Sequence, residues 1–236
     1  MSASTPIART KTAALVRVND CAAKAYTRYV LGEVAAEKAQ AMILKLHERH
    51  GIGATPGQRA VRKAGGRANA VLAVYWPEGA TRVPWMMLFT PGELGSPEPQ
   101  LRRLEDKPRP IWLGYELVRR AGDRQSSGSA AWTWRRPRDE MSEHYALLAQ
   151  LQERRDHAGI EALLQRLANQ PGFHGVREQT RRLFHAACRG GYKGETPKLF
   201  YVQKVGHGER MQCTELECLR LASQPRMGSG AIGLTR

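Results

Sequence analysis

ANAVLAVYWPEGATRVPWMMLFT, residues 68–90, holds two apolar runs on either side of Pro77-Glu78-Gly79. Each run, 68–76 and 81–90, is strand-sized and rich in Val, Leu, Trp and Phe, and Pro-Glu-Gly is turn chemistry. The stretch therefore reads as a β-hairpin. Its strands are nearly continuous in apolar character and do not alternate with polar residues. The sheet is accordingly expected to be covered on both faces at this point.

Upstream, residues 51–67, GIGATPGQRAVRKAGGR, read as a loop by their glycines. Arg59, Arg62, Lys63 and Arg67 lie in it with no acidic residue between them. Glycine lets backbone approach a ligand closely and the cations favour phosphate, so the loop is a candidate phosphate contact. It is not a Walker loop, because no Gly-Lys-Ser/Thr follows at the required spacing. Before it, residues 21–49 read as one long helix. Asp20 would cap it, Gly51 would end it, and Tyr26, Tyr29, Val30, Val34, Met42, Ile43 and Leu46 give it an apolar stripe. Gly32 sits inside this helix and weakens it. Residues 1–19 read as a flexible basic arm.

Downstream, 91–110 is a proline-rich charged connection. Residues 111–120 and 130–136 read as a second hairpin joined by AGDRQSSGS. Trp132 and Trp134 alternate, so they share one strand face, with Arg135 on the other. These tryptophans, with Trp112, Tyr115, Arg119, Arg120, Arg135, Arg136 and Arg138, form an aromatic and basic sheet of the kind that stacks single-stranded bases. From Asp139 the apolar period becomes helical, and three helices are expected over 140–155, 157–169 and 173–189. Residues 198–205, KLFYVQKV, read as a strand that returns to the sheet. The expected architecture is α+β: an antiparallel sheet of about four to five strands, a long N-terminal helix and three helices in the C-terminal half. The organisation that follows is an arm over 1–19, a helix-and-hairpin core over 20–137, a helical segment with a returning strand over 138–222, and a Gly-rich tail over 223–236.

The third of these helices, GFHGVREQTRRLFHAAC, places His174, Arg177, Arg181, His185 and Cys188 three or four residues apart along one stripe, with Arg182 beside it. Phe173, Val176, Thr180, Phe184 and Ala187 form a neighbouring stripe that packs inward. A helix with one apolar and one Arg/His face suits docking on phosphates or in a major groove.

Charge sets the functional class. In 236 residues, Lys plus Arg is 37 and Asp plus Glu is 22, a net charge of +15 and a pI near 10.2. Arginine outnumbers lysine 28 to 9, and Arg binds phosphate bidentately where Lys acts as a point charge. The expected partner is a nucleic acid, DNA or RNA, with protein subunits of a larger complex as further partners. No apolar run approaches membrane-span length, so no membrane partner is expected. The four cysteines carry no CxxC and fit reduced thiols in a cytoplasmic protein, with no metal and no cofactor. Cys213 and Cys218 form only one loose pair.

The expected function is a basic nucleic-acid-binding subunit of a bacterial nucleoprotein complex from a mobile element, plasmid or defence system. An enzyme is the lesser expectation. His47, His50, His174, His185 and His207 are each near a basic residue, yet none has a nucleophile or carboxylate beside it in a recognised motif. Gly228-Ser-Gly230-Ala-Ile-Gly233 resembles the C-terminal glycine-rich loop of the RAMP-fold proteins of CRISPR systems over about a dozen residues. That resemblance implies the alternative of a metal-independent endoribonuclease with a histidine general base. A third reading is a structural or interaction protein whose charge serves solubility.

Overall fold

The computed structural model describes residues 5–98, 100–120, 131–195, 197–201, 206 and 208–211. In chain order the elements are β1 (Thr5–Ala8), α1 (Lys11–Ala23), β2 (Arg28–Ala35), α2 (Ala36–His50), α3 (Pro56–Ala64), β3 (Ala70–Tyr75), β4 (Arg82–Phe89), β5 (Arg102–Arg103), β6 (Ile111–Trp112), β7 (Tyr115–Arg120), β8 (Ala131–Arg135), α4 (Arg138–Glu153), α5 (His157–Ala168), α6 (His174–Arg189) and β9 (Glu209–Met211). The architecture is α+β, as expected, with three helices in the C-terminal half.

The 68–90 hairpin forms the centre of the main sheet, whose order is β5-β2-β4-β3-β1-β9. β3 and β4 pair antiparallel from Ala70 opposite Phe89 to Val74 opposite Trp85. Both faces are covered. Ala73, Met86 and Leu88 pack with Leu15 and Val18 of α1. Leu72, Val74, Met87 and Phe89 pack with Ala39, Ile43 and Leu46 of α2. Burial on both faces is why neither strand alternates.

The single helix expected over 21–49 is replaced by the end of α1, by β2 and by α2. Ala25, at φ 65°, takes the chain out of α1. In β2, Tyr29 and Leu31 join the α1 side of the sheet, while Val30 and Val34 join the α2 side. A strand buried on both faces puts apolar residues at neighbouring and next-but-two positions, and that spacing also imitates a helical stripe. Gly32 is the residue that discriminates. It pairs with Trp85 of β4, and a Cβ there would lie 2.8 Å from the indole, so glycine marks a close approach within a sheet.

The N-terminal segment is also not a free arm from residue 5 onward. β1 is buried, runs parallel to β3 and pairs antiparallel with β9. A strand does return to the sheet, but it is 209–211. Residues 198–201 carry no strand, since β9 already occupies the edge of β1. Residues 202–205 lie outside the described residues, as do the tail 223–236 with its glycine motif, His207, Cys213 and Cys218.

The second hairpin forms as expected, in the three-stranded sheet β6-β7-β8. α1 lies between the two sheets. Its residues Ala13, Ala14, Leu15, Val18, Cys21 and Ala22 are buried, and Trp112, Tyr115, Leu117 and Trp134 close over it. α4, α5 and α6 enclose a third apolar cluster around Leu148, Leu163, Leu164 and Leu183.

α2 also carries one buried and one half-buried histidine. The His47 ring nitrogen is hydrogen-bonded to the Thr5 hydroxyl, and His50 Nε2 lies 2.8 Å from the Glu98 carboxylate. Burial pushes both imidazoles below their ordinary 6.5, and the Glu98 charge only partly offsets this at His50. With folded values below the unfolded ones, the unfolded chain takes up protons first. Stability present above about pH 6.5 is therefore lost as the pH falls. Thermal melts at descending pH are expected to show a falling Tm that starts near that value, and His47→Gln makes the fall shallower, leaving the share of His50. A melting temperature constant down to about pH 5 contradicts this.

Candidate nucleic-acid interface

A guanidinium serves a phosphate only where it is exposed and not already engaged inside the fold. The three basic groups expected from the sequence separate on this criterion.

The 51–67 segment is not a loop throughout. Thr55 and Gln58 form a capping box, Pro56 follows, and the chain turns into α3. Arg62 folds back, and its Nη1 donates to the carbonyl oxygen of Gly51 at 3.0 Å and lies 3.4 Å from that of His50. It thus satisfies the C-terminal carbonyls of α2. The Arg59 carbonyl accepts from Asn69 Nδ2 at 3.1 Å, which fixes α3 to β3. Lys63 and Arg67 remain exposed.

The aromatic and basic sheet is largely interior. Trp134 is fully buried, and its indole N–H donates to the Leu15 carbonyl at 2.9 Å. Trp132 packs half-buried against the same core. Trp134 presents no free ring face, because the side of the sheet the two share is the side that closes over α1. Arg135 pairs with Glu116 at 2.8 Å, and Arg119 with Glu105 at 2.8 Å on the surface. Arg136 is fully buried. Its guanidinium donates to Gln170 Oε1 at 2.6 Å, the Leu167 and Val176 carbonyls at 3.0 and 3.2 Å, and Thr180 Oγ1 at 3.0 Å. Arg136 and Trp134 are therefore structural, and the expectation that they contact nucleic acid is corrected.

α6 is different. Its N-terminus lies across the outer face of the second sheet, where the Gly175 amide donates to Thr133 Oγ1 at 3.1 Å. Thr133 opposes Val118 in β7, and Arg120, two residues on, leaves the strand on that same face. Arg120 thereby joins His174, Arg177 and Arg181. Partial burial and the charges of Arg120, Arg177 and Arg181 hold the His174 imidazole below its ordinary value, with Glu178 opposing them. Arg182 pairs with Glu178 at 3.1 Å one turn away. His185 is exposed farther along, with its ring against Phe184.

Arg177 is mostly buried because Tyr201 covers it, its guanidinium carbon lying 3.4 Å from the ring centroid. The segment 197–201 reaches this position by crossing the α5–α6 turn at Gly172. A Cβ there would collide with the Phe200 carbonyl. Phe200 and Tyr201 are 54% and 65% exposed, and Lys198 Nζ lies 5.7 Å from the Phe200 ring. Neither aromatic was singled out from sequence, because both fall in a run that reads as a strand. The signal pointing to them is Gly172, which leaves room for another segment to cross.

Of the histidines named as general-base candidates, His47 and His50 are engaged with Thr5 and Glu98, and among the described residues no group of three or more His, Cys, Asp or Glu is placed to hold a metal. No described helix is long and apolar enough to cross a membrane. Comparison with protein-family models, with curated proteins and with solved structures returns no match to this chain.

Proposed function

We propose that the protein binds nucleic acid through its phosphate backbone, with the end of β7 and the first turns of α6 as the contact face. One observation carries this reading. Arg120, His174 and Arg181, with Arg177 beneath Tyr201, gather from two elements into one positive field that adds to partial burial in holding the histidine low, and Glu178 is the acidic group that acts against them there. Like charges repel, and a fold does not gather them for its own stability. A polyanion supplies the missing counter-charge. The positive end of the α6 dipole adds to the same field, and the net +15 of the chain steers a polyanion toward it.

The test is fluorescence anisotropy with labelled single-stranded DNA, duplex DNA and structured RNA, on protein stripped of nucleic acid. The expected result is binding that weakens steeply between about 50 and 200 mM salt. Dissociation constants no tighter than about millimolar at the lower salt, for all three probes, would remove the reading.

A further inference from the structure

Resting on that reading, we propose that the ligand of this face is a single-stranded nucleic acid whose bases stack on Tyr201 and Phe200. Both rings are more than half exposed, although large aromatics ordinarily pack inward. Tyr201 stands within the cationic cluster, and Phe200 precedes it in the chain. The Arg177 guanidinium backs one face of Tyr201 at 3.4 Å and orients the ring. Lys198 stands beside the Phe200 ring at 5.7 Å. Exposed rings interleaved with arginine and lysine match a strand that offers a phosphate and an unpaired base at each step. A duplex keeps its base faces inside the stack and has nothing to place on these rings. The charge around the rings selects a nucleic acid over an apolar protein surface, which would leave Arg120 and Arg181 without counter-charge.

The experiment measures the affinity of the full chain for a labelled oligothymidylate and for a duplex with the same number of phosphates. It compares wild type, Phe200→Ala, Tyr201→Ala and Tyr201→Trp, with circular dichroism as a check on folding. Each alanine variant is expected to lose about fivefold to a hundredfold for the single strand and less than about twofold for the duplex. Tyr201→Trp is expected to retain single-strand binding. The inference is overturned if both alanine variants bind the single strand as wild type does. It is also overturned if they weaken duplex and single strand equally, because Tyr201 then only positions Arg177. In either case salt-dependent wild-type binding leaves the backbone reading standing. Wild type that binds neither probe overturns both.

Discussion

Arg136→Ala is expected to destabilise the fold by about 2–5 kcal/mol, through lost buried hydrogen bonds and the cavity left behind. Arg136 is the first residue after β8, and its fully buried guanidinium ties that strand to α5 through Leu167 and to α6 through Val176 and Thr180. The Arg136 backbone is held as well. Its N–H donates to Gln179 Oε1 at 2.8 Å and its carbonyl accepts from Gln179 Nε2 at 3.0 Å. Alanine removes four hydrogen bonds, takes from the Gln170 amide oxygen its described donor, and opens a cavity between sheet and helices. Urea denaturation followed by tryptophan fluorescence measures the loss. A change of less than about 1 kcal/mol contradicts a structural Arg136.

Arg136 and Arg177 also show where sequence reading stops. Both are arginines in a basic chain, and composition treats them alike. One is enclosed by carbonyl oxygens from helices more than thirty positions away, the other is capped by Tyr201. Only tertiary packing separates them. Where a signal is local, the sequence is informative: the 68–90 hairpin, the second hairpin and the three C-terminal helices all stand within a few residues of their expected bounds. The 21–49 segment misleads because burial on both sides of β2 gives a strand the apolar spacing of a helix. α3 was hidden by its flanking glycines, although Thr55, Pro56 and Gln58 carry a helix start. Of the site, the Arg/His stripe of α6 was legible from its spacing. The arrival of Arg120 from β7 and of Tyr201 from beyond α6 depends on how the chain folds back, and no local pattern carries it.

Arg120→Glu combined with Arg181→Glu is expected to weaken nucleic-acid binding by about a hundredfold or more at low salt. Two charge-assisted contacts worth about 1.5–3 kcal/mol each are lost, and repulsion is added. Both residues are half-buried at the margin of the face and have no described acidic partner to strand, so the circular dichroism spectrum and melting temperature should stay near wild type. Arg119→Glu is the control. It reverses one charge on the opposite face of β7, where Glu105 already neutralises it, and a change within about twofold is expected. Equal losses from the control and the double variant would mean that net charge, and not this face, governs binding.

The central claim is that a specific set of cations meets the phosphates, and the salt dependence of binding counts them. The logarithm of the association constant is measured against the logarithm of salt concentration for wild type and for Arg120→Gln with Arg181→Gln. If both arginines contact phosphates, the double variant shows a slope shallower by about 1.4–1.8, two contacts at about 0.7–0.9 each. An unchanged slope would place the phosphate contacts elsewhere on the protein and contradict the assignment of the β7–α6 face.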